Sequence, residues 1–322
     1  MEKTSQPQYI GIDVGGTKIL GVGADPTSGT VHRSVRVATP HTDMEGLLNA
    51  IAGIVDDLLT DRPAAAIGVG MPGLVDRSGV LRYGPNVPGI LDFDVGAELR
   101  NRFGLLVAVE NDASNAALAE HRLGAARGAM HAVIVTQGTG IGGALVVDGK
   151  LLRGANGFAG EPGHMLVDQG GIECACGRLG CWESVASGTG LANLARQLLA
   201  EGRGDRVLEL AGGRIECVRG EHVSAAWKEG DVDAIEIRDR FASWVAAGLG
   251  SLITLLDPEI VVLGGGLAAI NQSFIADVEN RVMDLAMGGG YRPRVPVVPA
   301  QMGEAAGAIG AAINASDLLR GH

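Results

Sequence analysis

The sequence predicts an α/β protein of two domains, made by internal duplication, whose halves face each other across a cleft. Three observations carry this expectation. A strand, a glycine turn and an antiparallel return strand occur near the start of the chain and again near its middle. Helical and buried-strand patterns alternate after each copy. At 322 residues the chain is long enough for two domains, and its 51 glycines cluster at the ends of apolar β-branched runs.

The elements follow in order. Tyr9–Val14 is predicted as a strand, Gly15-Gly16 as a turn, and Ile19–Ala24 as the antiparallel return. Val31–Ala38 is a third strand, Met44–Leu59 has helical apolar spacing, and Ala65–Val69 is a buried strand ending at Gly70-Met71-Pro72-Gly73. Leu105–Glu110 is a strand, and Ala113–Leu123 is a helix directly after Asn111-Asp112. The layout then restarts with a strand at Ala132–Thr136, a turn at Gln137–Gly140, a return strand at Gly142–Val147 and a hairpin signal at Asp148-Gly149. Ala234–Leu256 is a long helix stopped by Pro258, Ile260–Leu263 a buried strand, Asn271–Ala286 a helix, Val295–Val298 a strand and Glu304–Leu319 a last helix. The polar, glycine-bearing segment Gly202–Asp231 gives no clear element, and no linker separates the halves.

Composition narrows the function. Hydrophobic residues make up 46% and charged residues 20%, as in a folded globular protein. A net charge of −11 with no long basic run argues against nucleic acid or an anionic membrane as the main partner. No apolar stretch is long enough to cross a bilayer, and the polar start does not read as a leader, so the expectation is a cytoplasmic enzyme with reduced thiols.

Cys174, Cys176 and Cys181 are three of the four cysteines, and His164 stands just upstream. One His and three Cys make a closed tetrahedral zinc site, which would be structural because no coordination position stays open. It would fix the loop that carries Glu161, His164 and Glu183. A disulfide with a spare thiol and a redox pair are the other readings. The remote Cys217 argues against the first. The C-x-C spacing, with no neighbouring Lys to lower a thiol pKa, argues against the second.

Asp13, Gly15, Gly16, Thr17 and Lys18 form a turn between antiparallel strands, so it is neither a Walker loop nor a dinucleotide fingerprint. Its glycines let backbone amides approach an anion, Thr17 adds a hydroxyl, and Asp13 suits a Mg²⁺ that bridges phosphates. An ordinary hairpin turn is the competing reading. Gly138, Thr139 and Gly140 repeat the arrangement, and Gly264, Gly265 and Gly266 close a third strand, leaving room for a base or ribose or for close packing. Asp112 is either an N-cap or an ionised general base, the helix N-terminus keeping it charged. Asn111, Glu161, His164 and Glu183 offer the donors and acceptors a polyol needs. Asn86 is a further candidate, although a turn Asn is the commoner explanation.

Five ordered motifs resemble a known family over nearly the whole chain: D-V-G-G-T-K at Asp13–Lys18, V-E-N-D-A-S-N-A-A at Val109–Ala117, G-T-G-I-G-G at Gly138–Gly143, E-P-G-H at Glu161–His164 and C-A-C-G-R-L-G-C-W-E at Cys174–Glu183. The chain is similar to the ROK family of sugar kinases. That resemblance implies the two-domain actin/hexokinase-like fold, a duplicated ribonuclease H-like architecture with an interdomain cleft. It implies a small domain at 8–112 completed by the helix 304–320, and a larger domain at 113–303 carrying the zinc. It implies ATP-dependent phosphorylation of glucose at the 6-hydroxyl, with Asp112 as general base. Asn111, Glu161, His164 and Glu183 would bind sugar hydroxyls, one ring nitrogen of His164 lying on zinc and the other toward the sugar. The cofactor expectations are ATP, Mg²⁺ and structural Zn²⁺; polyphosphate-using relatives generally lack the cysteine cluster, which favours ATP. A role in glycolysis and a homo-oligomer, dimer or tetramer, are implied as well. Kinases for mannose, fructose or an N-acetylhexosamine, and a non-catalytic sugar-sensing regulator, are the alternatives. The family's repressors carry an N-terminal helix-turn-helix domain, for which a first strand near Tyr9 leaves no room.

Overall fold

The structure, a computed structural model, describes residues 7–40, 43–84, 91–266 and 272–321. Its first sheet holds β1 (Gln8–Val14), β2 (Lys18–Ala24), β3 (Val31–Ala38), β4 (Ala64–Met71) and β7 (Leu106–Asn111), in the order β3-β2-β1-β4-β7. Strands β1 and β2 pair antiparallel, and β1, β4 and β7 run parallel, while β5 (Leu74–Val75) and β6 (Leu81–Tyr83) form a separate antiparallel pair. The second sheet holds β8 (Ala132–Gln137), β9 (Ile141–Val147), β10 (Lys150–Leu151), β11 (Ile260–Gly264) and β12 (Val297–Pro299), in the order β10-β9-β8-β11-β12. Counting only each five-stranded sheet's own strands in chain order, both read 3-2-1-4-5, so the duplication expected from the two glycine turns is present in the strand order itself. Asp148 and Gly149 both take positive φ, 51° and 70°, as the two-residue hairpin joining β9 and β10 requires.

By contact density the chain divides into two units: 1–129 with 144–160 and 301–322, and 130–143 with 161–300. Helix α3 (Asp112–Arg122) therefore lies in the first unit, although a division after residue 112 would place it in the second. The reason is packing. Leu118 and Ala119 of α3 share a buried cluster with Ile309 and Ile313 of the last helix, α10 (Ala306–Arg320).

The core of the first unit joins Ile10, Ile12, Ile67 and Val69 of the sheet to Leu47, Ile51 and Leu58 of α1 (Met44–Leu59) and to Leu99 of α2 (Val95–Phe103). Helix α10 covers the other face almost backbone to backbone. A Cβ on Gly11 would stand 1.8 Å from the Ala308 carbonyl oxygen, and one on Gly68 1.8 Å from that of Ala311. Part of the glycine content thus serves helix–sheet packing rather than ligand approach.

In the second unit the unassigned stretch 202–231 resolves into α6 (Asp205–Leu210) and α7 (Gly220–Lys228). Helix α4 (Glu183–Ala186) runs directly into α5 (Gly188–Ala200), and α8 (Val232–Leu256) and α9 (Gln272–Leu285) complete the unit's larger helices. Between Cys181 and Glu183, Trp182 is fully buried. Its indole N–H donates to the Trp244 carbonyl at 2.8 Å, and its ring lies where a Cβ on Gly248 of α8 would be. No helix among the described residues is long and apolar enough to cross a membrane.

Candidate active site and metal centre

In the first unit the parallel register sets Asp13 beside Gly70 and Gly70 beside Glu110. The carboxyl ends of β1, β4 and β7 thus converge, the usual place for a site in such sheets. Gly70 leaves the room: a Cβ there would be 3.3 Å from the Asp112 Cα, 3.6 Å from Asp13 Oδ1 and 3.1 Å from Asn115 Nδ2.

Asn111, not Asp112, caps α3. Its Oδ1 accepts the Ser114 N–H at 2.9 Å while its Nδ2 donates to the Gly73 carbonyl at 3.1 Å. Asp112 is the first helical residue and accepts the Ala113 N–H at 2.8 Å. The helix N-terminus does not by itself set the Asp112 pKa, although the group is still ionised at neutral pH. Burial raises its pKa to about 6, against the lowering by backbone N–H groups. Burial, and then the charge of Asp112, raise Asp13 further, to about 7, with Lys18 pulling the other way. A carboxyl group held as high as that of Asp13 suits a divalent cation, whose charge would return it to the ionised form.

The sequence carries no signal that singles out Glu110, since a charged strand residue ordinarily faces water. Here it is buried, and one oxygen accepts from Arg153 Nε at 2.6 Å while the other accepts the Asn111 N–H at 3.1 Å. It therefore holds the peptide that leads into Asp112.

The first glycine turn is exposed at Gly16 and Thr17. The Gly15 N–H closes it on the Lys18 carbonyl at 2.9 Å, and none of the described residues lies within 4 Å of a Cβ on Gly16. Lys18 is not a free cation, since its ammonium pairs with Glu304, which also holds Arg36 at 2.8 Å.

In the second unit, the Gly138 N–H donates to the Gly140 carbonyl at 3.0 Å, and the Ile141 N–H donates to Glu183 Oε2 at 2.7 Å. A Cβ on Gly140 would meet that carboxylate at 2.3 Å, which explains the glycine. Of the triglycine, Gly265 is required by its backbone: φ is +88° and a Cβ would lie 2.2 Å from the Gln137 carbonyl. Gly264 abuts Ala300, and no atom of the described residues lies within 4 Å of a Cβ on Gly266.

One ligand atom each from His164, Cys174, Cys176 and Cys181 lies within 4.8 Å of all the others. Cys174 Sγ is 3.7 Å from His164 Nδ1, and the sulfurs of Cys176 and Cys181 are 3.6 Å apart. A tetrahedron with arms of about 2.3 Å to sulfur and about 2.0 Å to nitrogen has edges of roughly 3.5–3.8 Å, so the donor set fits zinc. All four cysteines are free thiols, which removes the disulfide reading. Burial pushes the Cys174 thiol up to about 12 and raises Cys181, a balance that a bound cation reverses by holding thiolates. Burial would raise Cys176 too, but hydrogen bonds from Arg178 outweigh it and lower its pKa. The cation beside Cys176 is an arginine rather than a lysine, and Arg178 also donates to the His164 carbonyl at 3.2 Å. Glu161 precedes and His164 ends a single 3-10 turn at Pro162–His164, and Glu183 Oε1 lies 3.6 Å from Cys174 Sγ. Asn86 lies outside the described residues.

The fold and these residues define a two-domain α/β protein of the actin-like class. The ROK-family profile matches residues 9–317, and the chain belongs to the ROK family. It is 35% identical over 306 residues to the glucokinase of Streptomyces coelicolor, covering 94% of this chain and 96% of that one. It is also 35% identical over 307 residues to the glucokinase of Thermotoga maritima, covering 95% and 96%. A ROK family glucokinase from Streptomyces griseus, solved in complex with glucose and AMPPNP, superposes with a TM-score of 0.85 at 35% identity, covering 96% of this chain and 99% of that one.

Proposed function

We propose that this protein is a glucokinase: it transfers the γ-phosphoryl group of ATP to the 6-hydroxyl of glucose, giving glucose 6-phosphate and ADP. The observation that carries the reading is the placement of Asp112, half-buried at the start of α3 with a pKa of about 6, against Asp13 across Gly70. A base with that pKa is ionised at neutral pH and still able to hold a proton. The similarity to glucokinases over nearly the full chain supports the same assignment.

Asp112 accepts the proton of the attacking hydroxyl. Asn111, Glu161, His164 and Glu183 orient the sugar, Asn111 with the capacity left over from its cap. Asn86 stays a proposed sugar contact on the sequence alone. The amides of the two glycine turns, with Thr17 and Thr139, hold the phosphates, and Gly264 to Gly266 border the nucleoside. Lys18 reaches phosphate only by leaving Glu304. Asp13 is the residue that would hold Mg²⁺, which supplies charge neutralisation on the phosphates. His164, Cys174, Cys176 and Cys181 would hold zinc, which supplies rigidity to the sugar-side loop and no step of the reaction. Most of the barrier falls by positioning and charge neutralisation rather than by covalent chemistry. We place the enzyme in the cytoplasm at the entry to glycolysis, as a dimer or tetramer.

A coupled ADP-release assay, crossing glucose, mannose, fructose and N-acetylglucosamine with ATP and polyphosphate, tests the reading. Glucose with ATP is expected to give the highest kcat/KM. A higher value for another hexose reassigns the substrate. Glucose binding without any ADP release makes the protein a sugar sensor.

A further inference from the structure

We infer that Thr39 and Thr189 are a matched pair of positioning residues, one behind each glycine turn, that hold the carbonyl oxygens of the turns inward so that their N–H groups face phosphate. The inference rests on reading both turns as phosphate sites.

The tips cannot fix their own shape. Among the described residues, a Cβ on Gly16 or on Gly138 would find nothing within 4 Å, so none of them packs either tip from the front. Each is held from behind. In the first unit Thr39 donates its N–H to the Thr17 carbonyl at 3.0 Å and its hydroxyl to the Gly15 carbonyl at 2.6 Å. In the second, Thr189 donates both its N–H, at 3.2 Å, and its hydroxyl, at 2.8 Å, to the Thr139 carbonyl. Gly188 adds its N–H to the Gly138 carbonyl at 2.8 Å.

Carbonyl oxygens turned toward a phosphate would repel it, whereas a concave run of N–H groups attracts it. Four of the turn carbonyls, those of Gly15, Thr17, Gly138 and Thr139, cannot swing outward without losing these bonds. The N–H groups of Thr139 and Gly140 take no part in the network and are the ones presented. Thr39 follows β3, whereas Thr189 sits in the first turn of α5. Two different elements therefore reach the same arrangement, which sets it apart from a by-product of the duplication. Threonine supplies two donors from one residue; valine keeps the shape and one donor.

The test uses the full-length protein and four variants, Thr39→Val, Thr39→Ser, Thr189→Val and Thr189→Ser. Affinities for AMPPNP with Mg²⁺ and for glucose are measured by calorimetry, with a melting temperature for each variant. Thr39 is buried, so its loss strands the Gly15 carbonyl, and Thr39→Val is expected to weaken AMPPNP binding about tenfold. Thr189 is exposed and its N–H remains on the same carbonyl, so Thr189→Val is expected to weaken it about threefold. Glucose affinity should stay within about twofold, and each serine variant should restore AMPPNP binding. Valine variants that bind AMPPNP like the wild type would overturn the positioning role. So would equal losses for glucose and AMPPNP, or serine variants as weak as valine. Should Thr39→Val fail to fold, Thr39→Ser against wild type and the exposed Thr189 pair still decide the matter. A wild-type protein that binds no AMPPNP overturns the kinase reading itself, an outcome distinct from unchanged valine variants.

Discussion

Glu183 accepts the Ile141 N–H at 2.7 Å through one carboxylate oxygen while the other lies 3.6 Å from the Cys174 sulfur. One side chain thus touches both the second glycine turn and the cysteine cluster, inside one unit. The cysteine cluster therefore borders the second glycine turn through Glu183.

Metal removal should therefore be felt twice. The purified protein is expected to carry about one zinc per chain by elemental analysis. Cys176→Ala, or prolonged chelation, should weaken glucose binding and, through the loosened Glu183, AMPPNP binding too. Zinc-free protein with both affinities intact would show that the cluster is not a metal site of consequence.

Asp112→Asn should lower kcat by about 10²–10⁴ while leaving glucose and AMPPNP affinities close to wild type. The pH dependence has a definite sign. The base must be ionised, and burial raises its pKa from 3.8 to about 6, so kcat should fall as pH drops through about 6 rather than through 4. Steady-state rates at saturating substrate between pH 5 and 8 would show where the acid limb lies.

Asp13 is held at about 7 by burial and by the charge of Asp112. An acid whose folded pKa is raised favours the fold in its protonated form. That contribution is present below the ordinary value of 3.8 and is lost as pH rises through about 7. Asp13→Asn should then raise the melting temperature of the ligand-free protein at pH 8, with a gain that vanishes near pH 4, while reducing kinase activity. Thermal denaturation at the two pH values measures it; equal shifts at both would discount the buried charge.

Removing Arg153 leaves the buried Glu110 carboxylate without its cation. Arg153→Gln is expected to cost about 2–3 kcal/mol, toward the lower end for a broken buried pair because the arginine is partly exposed. The double variant with Glu110→Gln should recover most of it. Urea midpoints of the four proteins form the cycle.

Gly248→Ala would drive a methyl carbon to 2.0 Å from the buried Trp182 ring. Overpacking of this kind costs about 1–3 kcal/mol, and here it displaces the residue between Cys181 and Glu183. A lower melting temperature together with weakened glucose binding is the expected pair of effects.

Much of the local structure was legible because it is written in local chemistry. The predicted bounds of β3 and α1 coincide with those found, since alternating and 3.6-residue patterns depend only on which side chains seek the core. Helix α5 escaped because Gly188 and Gly190, poor helix formers, open it. Its start is set instead by the Ser187 cap and by bonds to the second glycine turn.

The sequence by itself determined the duplicated layout, the two glycine turns and the donor set of the cysteine cluster, because glycine tolerance and metal-ligand chemistry belong to residue types and their spacing. Only the tertiary structure decided that Asn111 rather than Asp112 caps α3, that burial and the charge of Asp112 raise Asp13, and that Thr39 and Thr189 stand behind the turns. Those facts arise between segments distant in sequence, where burial and charge act through space and leave no trace in spacing.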